Sequence, residues 1–454
     1  MKKLLLLSLC IGAMWGANAQ PLRYYDKIYD DVQVVKDQVY GSNYVFNFLE
    51  LEFGLTKEDQ TLDIYLPPAQ DQMPDRPLIV WAHGGSFLGG TKEDKDIVYF
   101  CNEYAKRGFV CISINYRIGY ELPLDSIKAV RTVYRALQDG RAAVRYMRSR
   151  ASEFNIDKNR VYFGGTSAGA FIALNTVFLD RPEEVPSYVD TSGHDELNLD
   201  PQIGLDGIEG KTNEIAESSE IMGIINYCGA TKVTSWMDDE YARNVPMISM
   251  HGTRDSTVPY ATRVIKLNDL TPIPPQIPLP IVQVQGSYDI DRHADRSGMS
   301  SKFYTWYGAD HVPYVNYDDN GAGAAYMDTV MRFTVKHVYE DFLKLGTVPG
   351  LGENEPPCDF NNGDENPCAI SGIANEASNG QTVLYPNPAG NLMYISGLES
   401  GSIVTLVDLN GRICGSFNCS ELLEINTADL EQGVYTVVIR SGGTVEQKRA
   451  VIVR

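Results

Sequence analysis

The pentapeptide from Gly165 to Gly169, Gly-Thr-Ser-Ala-Gly, is the feature that most constrains the fold of this chain. It separates a short β-prone segment, 160–163, from a longer apolar run, 171–179, that can continue as a buried helix. A G-x-S-x-G sequence in this position is typical of a sharp turn that exposes the serine hydroxyl, with small neighbours where backbone segments pass closely. The pattern predicts Ser167 as a nucleophile, although Gly-rich turns before helices also occur without chemistry.

Strand and helix patterns alternate between residues 61 and 345. The continuous apolar run 77–82 is typical of a strand covered on both faces. We predict further strands at 61–66, 109–117, 160–163, 222–227, 246–250 and 302–306, and helices at 95–106, 125–152, 171–179 and 322–344. This alternation predicts an α/β fold with a mostly parallel sheet and helices on both faces.

Two further polar side chains follow predicted strands. Asp255 follows the strand at 246–250, and His311 follows the strand at 302–306. Because ligands bind at the carboxyl ends of strands in such sheets, these side chains and Ser167 are expected at one edge. We therefore predict Ser167, Asp255 and His311 as nucleophile, acid and base of one catalytic site. The other candidates for the base are histidines at 194, 251 and 293.

The sequence His-Gly-Gly-Ser-Phe at 83–87 follows the buried strand at 77–82. Its glycines would let backbone N–H groups approach a reacting carbonyl group, as an oxyanion hole requires. We predict that the N–H groups of Gly84, Gly85 and Ala168 form this hole. The alternative interpretation of the segment is a structural turn alone.

Length and charge limit the class of protein. A chain of 454 residues predicts two or three domains. The net charge of −20 and the pI near 4.7 argue against nucleic acid or an anionic membrane as partner. No C-x-x-C pair or histidine cluster suggests zinc, and we expect neither a metal nor a cofactor.

The N-terminus has the pattern of a signal peptide. Two lysines precede a short apolar run and an Ala-Asn-Ala sequence, so residues 1–19 are expected to be removed on export. Seven cysteines then remain, an odd number, so at least one thiol should stay free or pair between chains. Local bridges are plausible between Cys358 and Cys368 and between Cys414 and Cys419.

The second part of the chain changes in character. We interpret 20–345 as the catalytic domain and 346–380, which lacks Lys and Arg, as a linker. Residues 381–454 carry short strand patterns, with Asn410-Gly411 and Gly442-Gly443 as hairpin turns, and predict a small all-β, sandwich-like domain. Within the catalytic domain, the insert 181–220 has eleven acidic and two basic residues and is expected to be a solvated loop or lid.

One more insert, 272–280, is rich in proline. Its prolines predict a stiff, extended conformation, and we interpret it as a spacer along the surface.

These motifs resemble those of known families. Residues 61–345 resemble the α/β-hydrolase fold of secreted carboxylesterases related to hormone-sensitive lipase and type-B esterases. The resemblance rests on the HGG segment, Asn115-Tyr116-Arg117, G-x-S-A-G, the HGxxDxxVP sequence around Asp255 and the late His311. Thr166 departs from the family pattern, in which many relatives carry Asp or Glu. Residues 381–454 resemble the C-terminal sorting domain of the type IX secretion pathway, with Tyr-Pro-Asn-Pro at 385–388.

The resemblance implies a secreted or surface-bound serine esterase that reaches the outer membrane through the periplasm. Its partners would be an ester substrate and the outer-membrane secretion machinery. A serine peptidase on the same fold is one alternative, and a non-catalytic hydrolase-like binding protein is another. Acyl and alcohol specificity stay open at this point.

Overall fold

The computed structural model describes residues 20–46, 55–120, 125–187, 189, 205, 207–266, 269, 280–317, 322–354, 383–385, 392–408, 412–428, 430–441 and 444–452. The predicted signal peptide, His194, the proline-rich segment before Pro280, both glycine-containing hairpin turns and residues 355–380 of the predicted linker lie outside these ranges. Among the described helices, none is both long and apolar enough to cross a membrane.

The elements of the first 354 residues alternate as the apolar patterns predict. The strands are β1 Gln33–Phe46, β2 Leu55–Leu66, β3 Arg76–Ala82, β4 Val110–Ile114, β5 Ile156–Thr166, β6 Ile224–Tyr227, β7 Ala230–Thr231, β8 Met247–Gly252, β9 Arg263–Lys266, β10 Pro280–Gly286 and β11 Ser301–Trp306. The helices are α1 Lys95–Ala105, α2 Ser126–Ser149, α3 Ala151–Phe154, α4 Ala168–Phe178, α5 Glu240–Asn244, α6 Ser287–Ser297 and α7 Ala322–His337. A π-helical turn, Val338–Phe342, follows α7.

The central sheet has the strand order β1-β2-β4-β3-β5-β6-β8-β11. The pairs β1–β2 and β2–β4 are antiparallel, and every later neighbouring pair is parallel. A mostly parallel sheet in this order, with a crossover between β3 and β4, is the α/β-hydrolase fold, which confirms the predicted fold class. The carboxyl ends of β3, β5, β8 and β11 therefore meet at one edge of the sheet.

Strand β3 shows why the sheet is covered on both faces. Side chains alternate along a strand, and all seven residues of β3 are buried. Leu78 and Val80 pack in one core cluster with α4, whereas Ile79 and Trp81 pack in a second cluster with α1. The continuous apolar run that predicted this strand reflects its burial in two separate cores.

Several elements differ from the sequence-based expectation. The strand predicted at 61–66 begins at Leu55 and pairs with β1. The sequence pattern does not predict β1, because the apolar residues of β1 do not alternate regularly. The helix predicted over 125–152 ends at Ser149. The antiparallel pair β9–β10 and helix α6 were also missed, since β9 is only four residues long and α6 is mostly polar.

The start of the predicted linker contacts the first sheet. Asn354 donates from its side-chain amide to the Thr305 carbonyl oxygen and accepts from the Thr305 N–H, at 2.8 and 2.7 Å. Glu353 pairs with Lys302 at 3.2 Å. The side chains of Glu353 and Asn354 thus hold the first part of 346–380 against the edge strand β11.

The C-terminal strands form a separate antiparallel sheet. They are β12 Val383–Tyr385, β13 Leu392–Asp408, β14 Ile413–Asn426, β15 Gly433–Ser441 and β16 Thr444–Ile452. The order is β12-β13-β15-β16, and β14 also pairs with β13. Cys414 is a free thiol, so the local bridge to Cys419 that the spacing suggested is not formed. The predicted antiparallel β structure is present, and its sandwich-like layering stays a prediction.

Candidate active site

Ser167 lies at the turn between β5 and α4, with a φ of +54°. A Cβ atom on Gly165 would lie 2.2 Å from the Gly169 carbonyl carbon, and one on Gly169 would lie 2.0 Å from the Ala82 carbonyl oxygen. Neither position has room for a side chain, which explains the two glycines of the pentapeptide. The tight turn holds the Ser167 side chain at the carboxyl edge of the sheet.

His311, in the loop after β11, joins the other two predicted side chains. Its Nε2 lies 2.8 Å from Ser167 Oγ, and its Nδ1 lies 2.6 Å from Asp255 Oδ2. A neutral imidazole has one N–H, so donation from Nδ1 to Asp255 leaves Nε2 as the acceptor for the Ser167 hydroxyl. This arrangement can transfer the hydroxyl proton to the imidazole when Ser167 attacks a carbon atom.

Asp255 is held as a carboxylate in a buried position. Burial alone would raise its pKa, but the charge of His311 and hydrogen bonds from His251 and His311 hold the pKa well below its ordinary value. Its Oδ1 also accepts the backbone N–H groups of Thr257 and Val258, at 2.9 and 2.7 Å. The negative charge beside His311 is therefore present at any pH at which the protein is used.

The other histidines considered from the sequence have different surroundings. The ring of His251 is buried, with Nδ1 2.7 Å from Ser287 Oγ and Nε2 3.1 Å from Asp255 Oδ2. His251 and His311 therefore contact the same oxygen of Asp255. His293 pairs with Asp238 at 2.7 Å, and His194 is outside the described residues.

The HGG loop after β3 passes beside Ser167. Gly85 has a φ of +108°, which glycine adopts without strain, and a Cβ on Gly84 would lie 3.5 Å from the Cβ of Ser167. Within the described structure, the N–H groups of Gly84, Gly85 and Ala168 have no hydrogen-bond acceptor. These predicted donors can therefore bind an oxygen atom on a substrate at Ser167.

Tyr116, two residues after the end of β4, supports the HGG loop. Its hydroxyl donates to the His83 carbonyl oxygen at 2.7 Å, and its ring stacks on the His83 ring with centroids 4.3 Å apart. Burial lowers the pKa of His83, and its Nδ1 lies 2.7 Å from the Gly84 carbonyl oxygen. The sequence marked Tyr116 only through a family resemblance, without a role.

A buried carboxyl group that the sequence analysis missed lies behind the nucleophile. Thr166 Oγ1 donates to Asp96 Oδ2 at 2.9 Å and lies 3.0 Å from the Tyr314 hydroxyl. Asp96 belongs to the first turn of α1, and Tyr314 to the loop that carries His311. Burial raises the pKa of Asp96 to about 6, against a partly compensating hydrogen bond from Thr166. This network connects the turn at Ser167 with the His311 loop.

Asp96→Asn should stabilise the fold at high pH. Asp96 has its ordinary pKa of 3.8 in the unfolded chain, so the folded wild type loses stability as the pH rises from about 4 to about 6. We expect the variant to gain about 1 to 3 kcal/mol in free energy of unfolding at pH 8 and to lose that gain near pH 4. Urea unfolding at both values measures it.

The matched control is Glu240→Gln, which removes a carboxylate from an exposed side chain in the first turn of α5. It should not show the gain. Lower stability of Asp96→Asn than of wild type at pH 8 would contradict the raised pKa of Asp96.

A cavity of about 900 Å³, including its opening to solvent, adjoins Ser167. Helices α2 and α4, the HGG loop and the β9–β10 pair form its walls. Most of the lining side chains are aliphatic or aromatic. The site thus combines a serine hydroxyl hydrogen-bonded to a histidine, backbone N–H donors and an apolar cavity.

One cluster of side chains at the site contains atoms that could bind a metal ion. Cys228, Asp255 and His311 bring possible ligand atoms within 4.8 Å of one another. Asp255 and His311 are already hydrogen-bonded to each other, and burial raises the pKa of the Cys228 thiol well above its ordinary value. This cluster therefore favours the hydrogen-bonded arrangement over metal coordination.

Known proteins match two parts of the chain. Residues 62–268 match the family model BD-FAE, and residues 383–453 match the model of the secretion system C-terminal sorting domain. The first range contains Ser167, Asp255 and the HGG loop, whereas His311 follows it.

Similar curated proteins include Carboxylesterase 3B of Mus musculus, 31% identical over 127 residues, which is 28% of this chain and 22% of that protein. Phenmedipham hydrolase of Pseudarthrobacter oxydans is 33% identical over 112 residues, or 24% and 21% of the two chains. The chain thus spans about a fifth of the length of these relatives.

Among solved structures, Thermogutta terrifontis esterase 2 phosphorylated by paraoxon is 20% identical, with a TM-score of 0.43 over 72% of this chain and 98% of that one. The chain therefore combines the α/β-hydrolase fold, of which residues 62–268 are similar to the BD-FAE family model, with a C-terminal region similar to the secretion system C-terminal sorting domain.

Proposed function

We propose that this protein hydrolyses carboxylic esters by two-step acyl transfer. Ser167 attacks the ester carbonyl carbon while His311 takes its proton, and Asp255 orients and stabilises the imidazolium. The alkoxide leaves with a proton from His311, and the acyl group stays on Ser167. Water, activated by His311, then releases the acid and restores the serine.

The observation that carries the proposal is the double contact of His311. One ring nitrogen lies 2.8 Å from Ser167 Oγ and the other 2.6 Å from Asp255 Oδ2. A histidine with only a structural role would not need to contact both Asp255 and Ser167. Ser167 is also held in a strained backbone conformation, with a φ of +54°. The residues at 167, 255 and 311 come from three separate loops. Packing alone is therefore a poor explanation for their arrangement.

The oxyanion that forms during attack would be bound by the N–H groups of Gly84, Gly85 and Ala168. Ala168 is the first residue of α4, where N–H groups lack partners within the helix and the helix dipole favours negative charge. Each such donor typically lowers the barrier by about 3 to 4 kcal/mol. The names of the matching relatives, which include carboxylesterases, agree with esters as the substrate class.

The proposal is tested by comparing two substrates. The purified protein should hydrolyse a short p-nitrophenyl ester and leave an aminoacyl p-nitroanilide unchanged. Preference for the anilide would favour the serine peptidase alternative. Binding without turnover of either compound would favour a hydrolase-like binding protein.

For the C-terminal region, we propose a role in export. Its match to a sorting domain supports transport through the type IX machinery to the outside of the cell or the cell surface, by way of the periplasm. Every residue proposed for chemistry lies before residue 346. The two activities are therefore expected to be separable.

Deletion of residues 381–454 should leave ester hydrolysis intact and stop delivery outside the cell. The truncated protein keeps Asn354 and its bonds to β11, so the edge of the catalytic sheet is not disturbed. Cell fractionation of the native host, with ester assays on each fraction, should find the active protein in the periplasm.

The matched control is the full chain with Ser167→Ala, which should be exported normally without activity. Normal secretion of the truncated chain would contradict the export role. Purification of a folded but inactive truncation would contradict the separation of the two activities.

A further inference from the structure

The β9–β10 pair forms one wall of the cavity beside Ser167. The β9–β10 pair lies in the chain between Asp255 and His311, and Ile265, Ile281 and Val284 from it line the cavity. We propose that this cavity binds the acyl group of the substrate, that it takes an unbranched aliphatic chain of medium length such as octanoyl, and that the β9–β10 pair sets the acceptable length. The inference rests on the proposed ester hydrolysis.

Acyl rather than alcohol binding follows from the position of His311. The leaving alcohol oxygen must receive a proton from His311 Nε2, so it has to lie on the histidine side of Ser167. Ser167, Ala168 and the HGG loop residue Phe87 line the cavity, whereas His311 does not. The cavity therefore opens on the other side of the reacting carbon, where the acyl chain extends.

The chemistry of the walls favours an aliphatic chain over a sugar. The Tyr120 hydroxyl donates to the Ser86 carbonyl oxygen at 2.9 Å. The Asn175 amide donates to the Phe171 carbonyl oxygen at 2.7 Å and accepts from Thr231 at 2.9 Å. These polar groups are already used within the protein, so buried sugar hydroxyls would lose hydrogen bonds to water without replacement.

Four further residues with polar groups line the cavity: Ser86, Tyr134, Lys232 and Trp236. Among the described residues the buried Tyr134 hydroxyl has no hydrogen-bond partner, and Lys232 is half-buried. One hydroxyl could pair with the phenol of a hydroxycinnamoyl group but not with the several hydroxyls of a glycan. The remaining walls are dominated by aliphatic side chains from α2 and the β9–β10 pair, which gain from contact with methylene groups.

Helix α2 forms the facing wall. Ala129, Val133 and Leu137 recur at every fourth position of α2 and line the cavity, which is the spacing of one helix face. The chain would thus lie between this face and the β9–β10 pair. Ile281 and Val284 are buried, whereas Gln283 is exposed to solvent, and an irregularity in the pairing between Pro280 and Val282 interrupts the regular alternation of the strand at Ile281.

The test measures kcat/KM for the p-nitrophenyl esters of acetic, octanoic and ferulic acid. A second series consists of acetate esters whose alcohols increase in length. Since each buried methylene contributes about three- to fourfold, octanoate should exceed acetate at least tenfold in the wild type. Ile281→Trp, which fills the cavity, should lower octanoate turnover at least tenfold and change acetate turnover less than about threefold. The matched control, Gln283→Trp, should leave both unchanged.

If Ile281→Trp fails to fold, Val133→Trp on the facing wall provides the same comparison. The proposal is overturned if acetate is hydrolysed as fast as octanoate, if ferulate is preferred, or if only the alcohol series rises with length. It is also overturned if both tryptophan variants affect acetate and octanoate equally. Each of these results leaves ester hydrolysis standing, whereas loss of all ester turnover in the wild type would overturn the proposed function itself.

Discussion

Ser167→Ala should lower kcat for ester hydrolysis by about 10⁴- to 10⁶-fold. The variant removes the one oxygen that can form the acyl-enzyme and leaves only the slower reactions that the oxyanion donors and substrate binding support. The fold should persist, because the hydrogen bond that is lost, to His311 at 2.8 Å, belongs to the site rather than to the core. Alanine also keeps the Cβ atom at the turn. Ester assays and thermal unfolding, run on the same preparation, measure the two effects.

The matched control for this variant is Ser235→Ala, at an exposed serine in the 3₁₀ turn Thr234–Met237. It should keep wild-type turnover. Wild-type ester hydrolysis by folded Ser167→Ala would show that another group is the nucleophile.

Asp255→Asn should lower kcat by about 10³- to 10⁴-fold. Asparagine keeps the size of the side chain but can present an N–H to His311 Nδ1, which favours the tautomer that has its proton on Nε2. That nitrogen could then no longer accept the proton of Ser167. The lost negative charge also leaves the imidazolium without its partner at 2.6 Å. Turnover is measured between pH 6 and pH 9, with folding checked by circular dichroism.

The comparison variant is Asp238→Asn, which removes the carboxylate from the His293 pair. It should leave turnover unchanged, because neither member contacts Ser167 among the described residues. A loss of less than tenfold in folded Asp255→Asn would mean that Asp255 does not orient the base.

The position of Ser167 at a turn and its place at the edge of the sheet were predicted from the sequence for a physical reason. Ser167, Asp255 and His311 each follow a strand whose apolar pattern is strong, and the carboxyl ends of parallel strands share one edge. Placing the three residues together therefore needed only the strands and their direction. The glycines at 165 and 169 mark backbone contacts that no other residue allows.

Other parts of the site could not be predicted from local patterns. Asp96 reaches Thr166 from a helix 70 positions earlier in the chain, and its α1 segment looks like an ordinary amphipathic helix. The β9–β10 pair is short and joins across residues outside the described ranges, so its strands show no periodicity long enough to detect. In both cases the functional contact depends on tertiary packing between distant segments, which a single sequence does not display.

The most direct test of the central claim is the mass of the protein after reaction with a fluorophosphonate, which phosphonylates an activated serine. We expect one phosphonyl group per chain, located on the peptide that contains Ser167, with ester turnover lost in proportion to labelling. Ser167→Ala should not be labelled, and Asp255→Asn should be labelled much more slowly. A stoichiometric label on any other residue, or full ester turnover by the protein labelled at Ser167, would contradict the account.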